Sequence, residues 1–236
     1  MSEGALCLHG FTGTPHSVQG MAGALAHVGF LVRAPLLPGH GTTIDDMMKT
    51  GWGDWLRAAE TAYAELAATV DRVVVAGLSM GGTLAVALAS AHPEIAGIVV
   101  INPYIDPPAP SFRELIQGVL DSGTTAAPAI GSDIADPGAE EPDSYSGTPL
   151  APLLSLCQGL DDLFPRLGSV TCPLLLMTSR EDHVVPTVSS ELLADAVSGP
   201  VERIWLENSF HVATLDHDRR EIERRAVEFA VKCCLP

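Results

Sequence analysis

The sequence predicts an α/β fold, a mostly parallel sheet of about six to seven strands with helices on both faces. Two observations carry it. Short uncharged apolar runs (Ala5–Leu8, Val73–Val75, Ile98–Ile101, Leu174–Met177) alternate with longer stretches of helical spacing, and such continuous runs mark strands covered on both faces. These runs also end in loops rich in glycine, proline and polar residues, where a doubly wound sheet gathers its reactive groups. At 236 residues the chain is most simply one domain, residues 1–236, with enough bulk for a core without staples.

Taken in order, Ala5–Leu8 opens the sheet and falls into His9-Gly10-Phe11-Thr12-Gly13-Thr14-Pro15. Val18–Val28 has helical spacing and stops at Gly29, a natural C-terminal signal. Phe30–Val32 with Ala34 is the next strand, and Leu36–Thr43 is loop. Trp52–Val70 reads as an amphipathic helix whose Trp52, Trp55, Ala59 and Tyr63 share a face and belong to the core. Val73–Val75 then runs into Gly77-Leu78-Ser79-Met80-Gly81, and Thr83–Ala91 is an apolar helix. Ile98–Ile101, Leu174–Met177 and Arg203–Leu206 are the remaining strands, and Glu221–Cys233 closes the chain as a helix. Val73–Ala91 is uncharged and long enough to cross a membrane, yet its glycines and its change from β-branched to alanine-rich content divide it into two elements.

Between Ile98–Ile101 and Leu174–Met177 lie roughly seventy residues, far more than a βαβ crossover of about thirty needs. Phe112–Leu120 and Leu150–Leu163 are helical there, and Leu115, Ile116, Leu120, Ile130 and Ile134 are too apolar for a solvated linker. The expectation is a cap over residues 106–165, inserted at the carboxyl side of the sheet.

The formal net charge of −16 argues against a nucleic-acid partner and against electrostatic adhesion to anionic membranes. Contact with a membrane is expected to be at most transient, through the cap. The five cysteines are scattered without metal spacing, and the opening Met1-Ser2-Glu3-Gly4 is no leader, so a reducing, cytoplasmic setting is expected. No metal or organic cofactor is called for.

Gly77-x-Ser79-x-Gly81 between strand and helix is the nucleophile-elbow pattern, which exposes a serine on a strained turn. A serine hydroxyl needs a base, and the base an orienting acid, in loops at the ends of later strands. Asp182 follows Leu174–Met177 and His211 follows Arg203–Leu206, giving the order Ser, Asp, His. Asp182 competes with Glu181 and Asp216 and is preferred, since the longer side chain of the adjacent Glu181 would point the other way. His211 is preferred to His183, His217, His9 and His40 for its strand-end place. The backbone amides of Met80, opening the helix, and of Phe11, in the sharp loop after the first strand, suit an oxyanion.

These pieces resemble the α/β-hydrolase superfamily, and more closely its compact bacterial monoacylglycerol lipases and small carboxylesterases. The resemblance rests on HGFTGTPHS at His9–Ser17, PGHGT at Pro38–Thr42, GLSMGGTL at Gly77–Leu84, EDHVVP at Glu181–Pro186 and NSFHVATLDHD at Asn208–Asp218. It implies a serine esterase with Ser79 as nucleophile, His211 as base, Asp182 as acid, and Phe11 and Met80 as oxyanion donors. It further implies Ile130, in an IGSD stretch, as a gate to the acyl channel, and Glu141 as the reader of a glycerol head group, one position from Glu140. A general carboxylesterase or thioesterase with the same triad is the nearest alternative. A binding protein without catalysis is the more distant one.

Overall fold

The computed structural model describes residues 2–128, 133–142 and 144–234. Six parallel strands form one sheet: β1 (Glu3–Leu8), β2 (Leu31–Arg33), β3 (Arg72–Leu78), β4 (Gly97–Ile101), β7 (Leu174–Ser179) and β8 (Val201–Leu206), in the order β2-β1-β3-β4-β7-β8. The apolar runs occupy the middle of that order, where no edge is open and both faces must be covered. β1, β3, β4 and β7 are almost wholly buried, whereas the edge strand β8 is mixed.

Alternation along each strand sorts the core into two layers. Leu6, Val75, Val100 and Leu176 face the layer of α3 (Trp52–Ala67) and α4 (Met80–Ala91). Ala5, Val74, Val99 and Leu175 face α1 (Gln19–His27) and α8 (Arg219–Cys234). The expected one-faced stripe of α3 is present: Trp52, Trp55, Ala59, Tyr63 and Leu66 are all buried. A one-turn helix, α2 (Ile44–Met47), precedes it, its amide at Asp46 capped by the Thr43 hydroxyl.

Helix α4 starts at Met80, three residues ahead of Thr83, where the sequence predicts it, because the glycine pair 81–82 lowers local helix preference while the turn itself demands it. Between β4 and β7 the described insertion holds α5 (Pro110–Asp121), a short antiparallel pair β5 (Ala126–Pro128) and β6 (Gly147–Pro149), and α6 (Leu150–Leu163). Helix α6 lies close on α3: a Cβ at Gly159 would stand 2.3 Å from the Trp52 ring, and the Trp52 amide donates to Ser155 Oγ at 3.0 Å. The last helix before β8 is α7 (Val188–Ala196). Among the described residues no helix is long and apolar enough to cross a membrane.

Candidate active site

Ser79 sits between β3 and α4 with φ 53° and ψ −121°, a conformation that costs a non-glycine residue steric strain. Its amide is anchored to the carbonyl of Ile101 at 2.9 Å. The turn is possible only because its flanks lack side chains. A Cβ on Gly77 would lie 2.2 Å from the backbone of Gly81, and one on Gly81 would lie 2.0 Å from the carbonyl oxygen of Leu8.

The structure brings the three expected side chains together from three strand ends. His211 Nε2 is 2.9 Å from Ser79 Oγ, and its Nδ1 is 2.8 Å from Asp182 Oδ2. Because a carboxylate only accepts, Nδ1 carries the proton and Nε2 presents its lone pair to the serine hydroxyl. Asp182 Oδ1 accepts from the amides of Val184 and Val185 at 2.9 and 2.8 Å, which fixes the carboxylate in its loop. Only 7% of the His211 side chain and 2% of the Asp182 side chain are exposed.

The competing residues are elsewhere. His183 pairs with Asp133, and that carboxylate raises the affinity of its ring for a proton. His217 is exposed. Asp216 is fully buried and accepts from the amides of Ala135, Asp136, Phe210 and His217. His9 and His40 form a buried edge-on pair, ring centres 4.9 Å apart, below the loop that carries Phe11. His9 Nδ1 donates to the Gly10 carbonyl and its Nε2 accepts from the amide of Leu37, an arrangement that requires the neutral ring. Burial lowers the pKa of His9 to about 3 and of His40 to about 4.

Gly10 lies against the serine, its Cβ position 3.5 Å from Ser79 Cβ. Phe11, next in the loop, packs edge-on against Trp55 at 5.7 Å. Met80, as first residue of α4, has an N–H free of intrahelical bonding at the positive end of the helix. A cavity of about 70 Å³ opens at the serine, lined by Gly10, Phe11, Thr12, Glu141, Tyr145, Val184 and His211 among others. Glu141 lies against Gly13, whose Cβ position is 2.6 Å from Glu141 Oε1, whereas Glu140 borders a separate hollow with His16 and Arg219. Across Val184 a second hollow of about 360 Å³ is walled by Tyr104, Phe112, Leu153, Val185 and Val188. Ile130 lies outside the described residues. Among the described residues no group of three or more His, Cys, Asp and Glu side chains is gathered as a metal site.

The model of the family described as serine aminopeptidase, S33, matches residues 4–218. The chain belongs to that family. This S33-family hydrolase is 41% identical over 232 residues to a thermostable monoacylglycerol lipase of Bacillus sp. (strain H-257), covering 97% of this chain and 90% of the relative. It is 28% identical over 233 residues to a carboxylesterase of Bacillus subtilis (strain 168), covering 98% and 93%. Among solved structures, a metagenome-derived lipolytic enzyme of the LipS and LipT pair superposes with a TM-score of 0.92 at 38% identity, covering 98% of this chain and 94% of its own. The fold is that of the α/β-hydrolases.

Three residues of this S33-family chain support the site without having stood out in the sequence. Asn102, at φ 45°, donates to Ser179 Oγ at 2.9 Å and to the carbonyl of His211 at 2.8 Å, and accepts from the Ser179 amide. Tyr145 joins the insertion to two loops, its amide donating to the Thr12 carbonyl and its hydroxyl to that of Gly39 at 2.5 Å. Asp133 touches both the acid and the histidine loops. A positive-φ-tolerant asparagine directly after a strand and the place of Asp133 at the end of the IGSD stretch are the available signals; the contacts themselves span distant loops.

Proposed function

We propose that the chain hydrolyses carboxylic esters through an acyl-enzyme, with monoacylglycerols as the preferred substrates. The observation that carries this is the Ser79–His211–Asp182 chain of hydrogen bonds at the mouth of a cavity that also holds Glu141. His211 takes the Ser79 proton as the oxygen attacks the ester carbonyl, and Asp182 stabilises the imidazolium. The amides of Phe11 and Met80 face the oxyanion. His211 then gives its proton to the leaving alcohol oxygen. A water, deprotonated by His211, attacks the acyl carbonyl, and collapse of that intermediate returns the proton to Ser79 as the fatty acid leaves.

Glu141 accepts hydrogen bonds from the glycerol hydroxyls, and the apolar hollow beyond Val184 shelters the acyl chain under a cap formed by residues 106–165. Identity to a monoacylglycerol lipase supports this substrate class. A short-chain carboxylesterase is the second reading, favoured by the small volume directly at the serine. The five free thiols, four of them buried, support a reducing, cytoplasmic setting.

The test is a panel of monoacylglycerols and aryl esters of matched acyl length, run on the native chain and on Glu141→Ala. Preference for glycerol esters is expected, and the variant should lose about tenfold on them while keeping its rate on aryl esters, the effect of removing one charge-assisted hydrogen bond. Equal rates on both classes in the native chain would point to the carboxylesterase.

A further inference from the structure

Asp133 belongs to the insertion, yet its carboxylate reaches the loops that hold the reacting groups. One oxygen, Oδ2, accepts from two backbone amides, those of His183 and His211, each at 3.1 Å. The other, Oδ1, is 2.9 Å from His183 Nδ1, and the Asp133 carbonyl accepts from the Val212 amide at 3.0 Å. The side chain is only 14% exposed. One of the two amides lies directly after Asp182, and the other is that of His211 itself. The Asp182–His211 contact therefore has a second link running in parallel with it, between the same two loops.

The placement of this link is itself secured. Just past Asp133, the amides of Ala135 and Asp136 are held by Asp216, which also holds the Phe210 amide next to His211. The ring of His183 packs edge-on against Phe210 at 4.5 Å. Each loop thus lends a carboxylate to the other: Asp133 from the insertion to the histidine loop, Asp216 from beyond the histidine back to the insertion. Glu181 and Asp182, from the acid loop, are the other charges near the His183 ring.

We propose that Asp133 is a positioning residue, whose shared oxygen fixes the spacing between the acid and histidine loops and so the angle at which His211 meets both Asp182 and Ser79. The proposal rests on reading those three residues as the catalytic triad. An oxygen bound to two amides resists displacement in two directions, and charge-assisted bonds are the stronger kind. Loss of orientation at a reacting group costs rate far more than it costs substrate binding.

Asp133→Ala removes the bridge, while Asp133→Asn keeps a carbonyl oxygen for both amides. With p-nitrophenyl butyrate, the alanine variant is expected to lose about 30- to 100-fold in kcat with KM changed less than about threefold. The asparagine variant should stay within about fivefold of the native rate. Native kcat in the alanine variant would overturn the proposal, as would a KM raised as much as kcat falls, or an asparagine variant impaired as deeply as the alanine one. Should circular dichroism show the alanine variant unfolded, Asp133→Ser carries the same comparison, since its hydroxyl is too short to bridge both amides. Labelling of the native chain with a fluorophosphonate separates the two readings. An unlabelled Ser79 overturns the triad itself, whereas a labelled Ser79 with native kcat in the alanine variant overturns only the role of Asp133.

Discussion

Two buried histidines show how a single side chain can set the pH range of a whole fold. His9 and His40 are held neutral under the loop carrying Phe11, each with a pKa pushed well below the ordinary value by burial. The unfolded chain takes up a proton at each as pH falls through about 6.5, whereas the folded chain does so only near 3 or 4. Stability contributed by the neutral pair is therefore present above that ordinary pKa and drains away between it and the folded values, at about 1.4 kcal/mol per pH unit for each histidine. His40→Gln retains a donor for the Pro38 carbonyl but cannot titrate. Urea unfolding of that variant between pH 6 and 4.5 should show a slope shallower by about one proton's worth. An identical slope would mean that His40 does not couple folding to pH. The three side chains proposed as the triad, by contrast, can be picked out as single letters, because the proposed chemistry restricts both their type and their place at strand ends. Asn102, Asp133 and Tyr145 cannot, Asp133 even though it ends the IGSD stretch, since their partners lie 77 to 109, 50 to 79 and 103 to 133 positions away and no local pattern announces such pairs.

At the scale of elements, the strand–turn–helix carrying Ser79 tolerates no added carbon on its flanks. Gly81→Ala would drive a Cβ to 2.0 Å from the Leu8 carbonyl, backbone against backbone, so the sheet or the turn must move. A loss of about 3 kcal/mol or more is expected by thermal or urea unfolding, with activity abolished. Gly53 in α3 has open space around its Cβ position, and Gly53→Ala should instead stabilise by about 0.5–1 kcal/mol. A Gly81→Ala variant with native stability would show that the turn yields to the added carbon. The long elements were readable because an apolar run or a one-faced stripe repeats often enough to be seen, and α6 spans the residues its pattern marks. Helix α2 is a single turn, β5 and β6 are three residues each and both contain proline, and α7 has little apolar face beyond Leu193. None repeats often enough to register as a period. They are shaped by what they pack against.

Over the whole molecule, 29 acidic side chains against 13 basic ones surround a site that is proposed to take apolar esters. An anionic lipid surface should therefore hold the chain at a distance. Monoacylglycerol dispersed in phosphatidylserine vesicles should be hydrolysed several-fold more slowly than in phosphatidylcholine vesicles, with the gap closing in 0.5 M salt, where the screening length is only about 4 Å. Rates that are equal at low salt would mean that the approach to substrate is blind to this charge. The fastening of the insertion has a further consequence. Asp133 ties it to the acid and histidine loops, Tyr145 to the Thr12 and Gly39 loops, and Ser155 to the start of α3. The described part of the insertion is thus no detachable module. A chimera that imports this segment from a relative, in search of a new chain-length preference, inherits a mismatch at every knot unless the receiving loops travel with it.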